Sequence, residues 1–468
     1  MDKVTGMRNA LLLMSLALLP ALAVSQTSSE FESAEEAVAN MCIGWNMGNT
    51  LDSNSGDTLN MWIEYYNKGS KRTTSVYETA WGQPVTKPEL FRMLKNAGFN
   101  AVRVPVTWYP HMEAKFDNLH RYGDGKIYWY PSKDDIGTRI DAKWMARVHE
   151  IVDYVLDAGL YCILNVHHDT GAASTAWLIA DRDNYNREHE RFEAVWTQIA
   201  EEFRDYDEHL LFEGYNEMLD KYRSWCYASS GAPGSYDTNT ANGAYAAINS
   251  YAQSFVNAVR ATGGNNRTRN LIVTTYGACC GSGDWNAHLT DPLSNMKLPK
   301  DEIAGPGHIA FEVHAYPDAT NINRCKEEMK SMFSRLKVML AMKGAPVIIG
   351  EWGTSDMTDS SIVTPKANKL EFMEYFVSQA KAKGMATFYW MELTDGKDRS
   401  VPEWTHPDYV DAIVKGYYGP GGYDGVTVPH VDNNADCVYY DLLGRAVRQP
   451  LKPGLYIHGG RKVLISDK

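Results

Sequence analysis

Eight short apolar runs punctuate residues 41–390, and amphipathic segments fill most of the gaps between them. The runs fall at 41–47, 100–106, 161–166, 210–215, 271–275, 309–314, 347–351 and 386–390. Each is continuously apolar rather than alternating, the pattern of parallel strands buried on both faces. Helical periodicity occupies 87–97, 142–158, 187–203, 245–261, 323–342 and 366–383. The fifth connection is rich in Gly, Asp and Pro and offers only a short helical stretch near 289–296. Gly98, Gly159 and Gly384 each stand just past a helix and before a strand. Thr86-Lys87-Pro88-Glu89 marks a helix start. This alternation predicts an α/β fold, a (β/α)8 TIM barrel over 41–418. An open doubly wound sheet is disfavoured because no Gly-rich phosphate loop follows the first strand.

In such a barrel the residues just past each strand line the working face. Here they are Asn49, Arg103 to Trp108, His167-His168-Asp169, Asn216-Glu217, Tyr276, His314 with Tyr316, Glu351-Trp352, and Trp390 to Glu392. The fourth run, Leu210-Leu211-Phe212-Glu213-Gly214-Tyr215, leads into Asn216-Glu217. The seventh ends on Glu351-Trp352. Two carboxylates at the same end of a buried sheet are what glycosidic bond cleavage needs. One holds a proton for the leaving oxygen, and the other is ionised to attack the anomeric carbon or to activate water.

Composition narrows the partners. The net charge of −12 argues against nucleic acid, weakly disfavours polyanionic substrates and is neutral towards uncharged sugars. With 13 Trp and 28 Tyr the chain has many aromatic faces, which either stack on sugar rings or fill a large core. Residues 1–25 read as a signal peptide: Lys3 and Arg8, an apolar run from Leu11 to Leu19, then Ala21-Leu22-Ala23 or Ala23-Val24-Ser25 for cleavage. That run is too short to span a membrane, and no later stretch is apolar enough. A secreted or cell-surface protein is expected, most simply a monomer. Seven cysteines are an odd count, so one thiol at least lacks an intramolecular partner, and their pairing stays open. Cys42 and Cys162 read as small buried hydrophobes in strands.

The chain from Cys42 to Tyr418 resembles glycoside hydrolase family 5, most closely its subfamily 4 endoglucanases. The carriers are Gly44-Trp45-Asn46-Met47-Gly48-Asn49-Thr50-Leu51-Asp52, Glu78-Thr79-Ala80-Trp81-Gly82 and Val102-Arg103-Val104-Pro105. Further on they are Asn165-Val166-His167-His168-Asp169, Tyr215-Asn216-Glu217, Val313-His314-Ala315-Tyr316 and Ile349-Gly350-Glu351-Trp352-Gly353. The resemblance implies a retaining mechanism on β-1,4-linked glucans. Glu217 is then the acid/base and Glu351 the nucleophile, about 5–5.5 Å apart. Arg103 would hold Glu351 ionised, and Tyr316 would donate its phenol to the same group. Asn216 would bind the sugar 2-hydroxyl. His167 and His314 would bind hydroxyls or tune the carboxylates. Asn49, Trp81, His168, Trp352 and Trp390 are expected to contact substrate, Trp390 by stacking.

Glu213 is read as a buried structural carboxylate. His167-His168-Asp169 raises a metal site. However, adjacent strand residues do not easily chelate one ion, so neither metal nor cofactor is expected. Two departures stand out: Met218 replaces the usual Pro after Asn-Glu, and Met391 to Gly396 differs from the commoner Trp-Asp-Asn. The second leaves cellulose, xyloglucan, mixed-linkage glucan and mannan open as substrates. A non-catalytic carbohydrate-binding barrel is the other class of reading, and it would require loss of a carboxylate or of Arg103. The stretch 26–40 reads as a polar lead-in and 419–436 as a Gly-rich linker. Residues 437–468 read as a short β-rich C-terminal tail of two or three strands. That tail resembles the sorting tails of exported Bacteroidetes proteins; the alternative is a strand pair packed on the barrel.

Overall fold

The structure, a computed structural model, describes residues 31–54, 74–114, 119–121, 127–129, 136–172, 176–223, 238–281, 292–425 and four short strands between 439 and 465. Eight parallel strands close into a barrel: β1 (Ile43–Asn46), β2 (Ala101–Val104), β3 (Tyr161–Asn165), β4 (Leu210–Glu213), β5 (Leu271–Thr274), β6 (Ile309–Ala315), β7 (Val347–Trp352) and β8 (Ala386–Tyr389). Each strand neighbours the one before it, and β8 pairs back onto β1. These are the eight expected runs, six of them shorter by one to three residues and β6 and β7 longer by one. Outward residues such as Val102, Leu164, Phe212 and Val347 pack against the surrounding helices in one large core.

The principal helices are α1 (Ala34–Met41), α2 (Pro88–Asn96), α3 (Ala142–Asp157), α4 (Arg182–Glu202), α5 (Thr238–Ala261), α6 (Ile322–Met339), α7 (Lys366–Ala382) and α8 (Pro407–Tyr418). The fifth connection holds the four-residue helix Pro292–Asn295, as its composition foretold. The helix α1 was not expected. It lies in the stretch read as lead-in, and a capping box between Ser33 and Glu36 starts it. Its buried Ala34, Ala37, Val38 and Met41 join a second cluster with the inward residues Ala101, Ile163, Leu211, Ile272, Ala310, Ile348 and Ala386. It therefore seals the N-terminal end of the barrel, opposite the end where Asn216, Glu217 and Glu351 follow their strands.

The barrel interior changes character one layer further up. Strand alternation carries Asn46, Arg103, Asn165, Glu213, Thr274 and Glu312 inward, all fully buried. The seventh strand breaks step here. Val313 pairs with Ile349 but His314 pairs with Glu351, and on the other side Trp352 rather than Glu351 pairs with Tyr389. Against both neighbours β7 has one extra residue, a bulge centred on Gly350.

After β2 the aromatic loop forms antiparallel ladders, Met112–Ala114 with Ile136–Ile140 and Leu119–Arg121 with Ile127–Trp129. The tail forms four antiparallel strands rather than two or three: Tyr439–Tyr440, Ala446–Val447, Gly454–His458 and Arg461–Ile465. The signal-peptide stretch, most of the linker, Cys226 and Cys437 lie outside the described residues. Cys42, Cys162 and Cys325 form no disulfide among the described residues. Cys162 is buried in β3 as expected. Cys42 is instead half-buried at the C-cap of α1, in the left-handed region at φ 55.

Candidate active site

The polar layer organises everything above it. Arg103 points from β2 into the barrel, fully buried. Its Nε and Nη2 donate to the two oxygens of Glu213 at 2.6 and 2.7 Å. Nη2 also reaches Asn216 Oδ1 at 2.7 Å, and Nη1 reaches Glu351 Oε1 at 2.8 Å and Asn46 Oδ1 at 3.0 Å. Burial opposes its charge, but Glu213, Glu312 and Glu351 together hold the guanidinium well above its ordinary range. One buried cation thus fixes a structural carboxylate, a carboxylate at the barrel mouth and the amide between them.

Glu351 receives a second donor on its other oxygen, from Tyr316 Oη at 2.8 Å. Burial pushes its carboxyl up; His314 and Arg103 pull it down, Glu217 pushes it up again, and the balance is upward. Glu217 is more open, with side-chain exposure of 18 % against 6 % for Glu351. Its Oε1 lies 2.8 Å from His314 Nδ1. An oxygen of Glu217, an oxygen of Glu351 and a nitrogen of His314 all fall within 4.8 Å of one another.

His314 bridges the two layers. Its Nδ1 faces Glu217 and, at 3.5 Å, Glu351; its Nε2 faces Glu312 at 3.3 Å. Burial alone would discharge it, but the surrounding carboxylates raise it to about 10. His167 is the opposite case. Burial, then the charges of His168, Arg103 and His314, hold it well below its usual value. Its Nδ1 accepts from Asn165 Nδ2 at 3.0 Å. That leaves the proton on Nε2, 3.8 Å from Glu351. Asn216, with its carbonyl oxygen held by Arg103, keeps its amide N–H groups to offer.

A wall of the cleft follows from the loop after β1. Asn49 sits there half-buried in the left-handed region at φ 53, which Asn tolerates better than most residues. Gly48 makes room for Trp390: a Cβ there would lie 2.8 Å from the indole edge. Trp390 is half-buried, its ring parallel to His167 at 5.9 Å. Trp81 is held by its indole N–H to Asn54 O at 2.9 Å and lies 5.4 Å from the His168 ring. His168, 30 % exposed, faces Asp52 at 3.6 Å.

Trp352 departs from expectation. It is fully buried and packs against Phe372, Phe376 and Tyr389, on the helix side of the barrel. The bulge is the reason. With Gly350 as the extra residue, Glu351 turns inward and Trp352 outward, where simple alternation from Ile348 would have done the reverse. The aromatic loop residues Tyr122, Tyr130, Trp225 and Tyr227 lie outside the described residues.

Sequence reasoning missed Asn46, Asn165, Glu312 and Asp52. The first three share the inward parity of Arg103 and Glu213 on neighbouring strands, a signal present in the alternation. Asp52 joins His167 and His168 in a second group with ligand atoms within 4.8 Å of one another, so a third potential ligand does accompany the paired histidines. His167 Nδ1 is already engaged by Asn165, which leaves that set poorly prepared for an ion.

A parallel barrel with two supported carboxylates at its C-terminal end defines a barrel glycoside hydrolase. The profile of the cellulase family, glycosyl hydrolase family 5, matches residues 65–394, and the chain belongs to that family. It is 31 % identical over 426 residues to an endoglucanase B of Neocallimastix patriciarum, covering 87 % of this chain and 76 % of that protein. It is 29 % identical to an endoglucanase A of Ruminococcus albus, covering 82 % of this chain and 92 % of that protein. Among solved structures, a subfamily 4 broad-specificity endoglucanase from an uncultured bacterium is 48 % identical. It superposes with a TM-score of 0.72 over 83 % of this chain and 96 % of that one. A family 5 enzyme of Prevotella bryantii, solved as a variant with a xyloglucan tetradecasaccharide, is 40 % identical. Its TM-score is 0.66, over 83 % of this chain and 99 % of that one.

Proposed function

We propose that the protein cleaves internal β-1,4 bonds of glucans with retention of configuration. The carrying observation is the pair Glu217 and Glu351, with oxygens within 4.8 Å and unequal support. A retaining pair stands about 5–5.5 Å apart, and an inverting pair about 6.5–9.5 Å. Glu351 attacks the anomeric carbon as its carboxylate, the form that the donors Arg103 and Tyr316 favour against its burial. Glu217 protonates the departing glycosidic oxygen. A glycosyl ester on Glu351 results. Glu217, now ionised, takes a proton from water, and the oxygen attacks the same carbon to release Glu351. Asn216 offers its N–H groups to the sugar 2-hydroxyl as charge develops, and neutral His167 offers its Nε2 proton.

The long cleft wall of Trp81, His168 and Trp390 favours a polymer over a small glycoside. Reducing-sugar release from carboxymethyl cellulose, barley mixed-linkage glucan, xyloglucan, glucomannan and xylan tests the reading. The expected result is release from one or more glucans and none from Glu351→Gln. Silence of the folded wild type across the panel would instead favour the binding-protein reading. We also take the protein to be exported through residues 1–25, an expectation read from sequence and checked by the N-terminus of the mature protein. Among the described residues no helix is long and apolar enough to cross a membrane. A monomer is the simplest state, and sedimentation of the purified chain tests it.

A further inference from the structure

Arg399 is among the largest fully buried side chains, 1 % exposed, in the loop that follows β8. Of the other buried arginines, Arg103 lies on Glu213 and Arg260 on Asp301, while Arg269 bonds backbone carbonyls and Asn266 Oδ1. Arg399 bonds only neutral oxygens. Nη1 donates to Thr86 Oγ1 at 2.6 Å, and Nη2 to Thr50 Oγ1 at 3.2 Å and Gln83 Oε1 at 3.4 Å. Its Nε is buried with no hydrogen-bond partner. No carboxylate bonds it directly, and burial lowers its pKa, while Glu78, Asp395 and Asp52 compensate its charge only at longer range.

Its hydrogen bonds span three loops. Thr50 belongs to the loop after β1, Gln83 and Thr86 to the loop before α2, and Arg399 to the loop after β8. Two of them carry Trp81 and Trp390, and the first holds Asp52 against His168 from the loop after β3. Thr50 N–H donates to Asp52 Oδ1 at 2.7 Å, and Asp52 faces His168. Trp81 donates its indole N–H to Asn54 O at 2.9 Å. Gln83 Nε2 donates to Asp395 Oδ1 at 3.2 Å and Gly396 N–H donates to Gln83 Oε1 at 3.3 Å, closing the loop that begins with Trp390. Thr86 fits the same picture. It does not cap α2, whose N-cap Lys87 lacks a side-chain cap; its hydroxyl serves Arg399 instead.

We infer that Arg399 is a positioning residue for substrate binding: it locks the three loops so that Trp81, His168 and Trp390 present one wall to the glucan. It touches none of the groups bonded to Glu217 or Glu351, so it acts on binding rather than on bond cleavage. The inference rests on the reading of the cleft as a glucan site.

Arg399→Met keeps the aliphatic volume and removes charge and donors. On the best glucan of the panel, KM should rise about tenfold while kcat stays within about threefold, the mark of lost uniform binding. Both limbs of the pH–rate profile should stay in place, and Arg399→Lys should recover part of the KM. Thr50→Val, which removes one acceptor of Arg399 and the hydroxyl's own bond to Gly48 O, should move KM in the same direction by less, and it carries the test if Arg399→Met does not fold. An unchanged KM in the folded variants overturns the inference, as does a fall in kcat with displaced pH limbs. A wild type inactive on every glucan overturns the functional reading instead.

Discussion

Single residues in this site compete for protons. Four carboxylates, Glu213, Glu217, Glu312 and Glu351, crowd two cations, Arg103 and His314. Burial, opposed by Arg103 and reinforced by Glu312, raises Glu213 to about 7 from 4.5. His314 rises to about 10 from 6.5 despite its burial, because carboxylates face both ring nitrogens. In both cases the folded chain keeps a proton that the unfolded chain has released. Stability must then fall as pH rises, between 4.5 and 7 for Glu213 and between 6.5 and 10 for His314. A calorimetric series should show the thermal midpoint declining from about pH 6.5 to about pH 10; below that the uncharged His167, protonated in the unfolded chain, opposes the fall. Glu213→Gln should flatten only the lower part; a midpoint that climbs above about pH 6.5 would contradict the assignment. The acid/base role has its own test. Glu217→Ala should keep activity on substrates with good leaving groups and regain turnover with azide, an anionic nucleophile that attacks the glycosyl ester in place of water and needs no base. Equal loss on activated and ordinary substrates, with no azide rescue, would reassign Glu217. The paired carboxylates and Arg103 were legible in the sequence because each ends or lies within a recognisable strand. Asp52 was not, because its importance comes from what the barrel folds opposite it.

Among the elements, β7 carries the sharpest constraint. Its extra residue, Gly350, turns Glu351 into the cleft and Trp352 into the core. Only glycine fits there: a Cβ would lie 1.5 Å from Glu312 Oε1. Gly350→Ala must displace Glu312 or undo the bulge. Either response moves Glu351 against Arg103 and Tyr316. Turnover should fall by about a hundredfold or more, with a loss of about 1–3 kcal/mol in stability. Steady-state kinetics beside a denaturant titration decides it, and wild-type turnover would mean that the bulge absorbs a methyl group. Periodicity placed all eight strands because their apolar runs are short and continuous. It could not place a bulge, since one inserted residue leaves composition unchanged and inverts only the residues beyond it, which is why Trp352 was misread. The helix α1 was hidden for another reason. Ala34, Ala37, Val38 and Met41 follow helical spacing, but acidic neighbours and small side chains make that face look weak until the barrel floor it covers is seen.

At the scale of the whole molecule, charge is the property that sequence states most directly and that folding alters least. The net charge is −12, and Glu217 and Glu351 at the barrel mouth are part of it. A neutral glucan approaches such a surface without electrostatic resistance. Carboxymethyl cellulose has the same backbone but is a polyanion, so it is repelled before it reaches the wall of Trp81 and Trp390. Screening shortens that repulsion: the Debye length is about 30 Å at 0.01 M salt and about 10 Å at 0.1 M. Between those two conditions kcat/KM on carboxymethyl cellulose should rise several-fold, while kcat/KM on barley mixed-linkage glucan stays level. Because both polymers meet the same carboxylates, their ratio isolates the long-range field from the chemistry. An equal rise on both would point to salt acting on the fold, and a fall on the carboxymethyl polymer would require a basic approach path that the balance of charge does not provide.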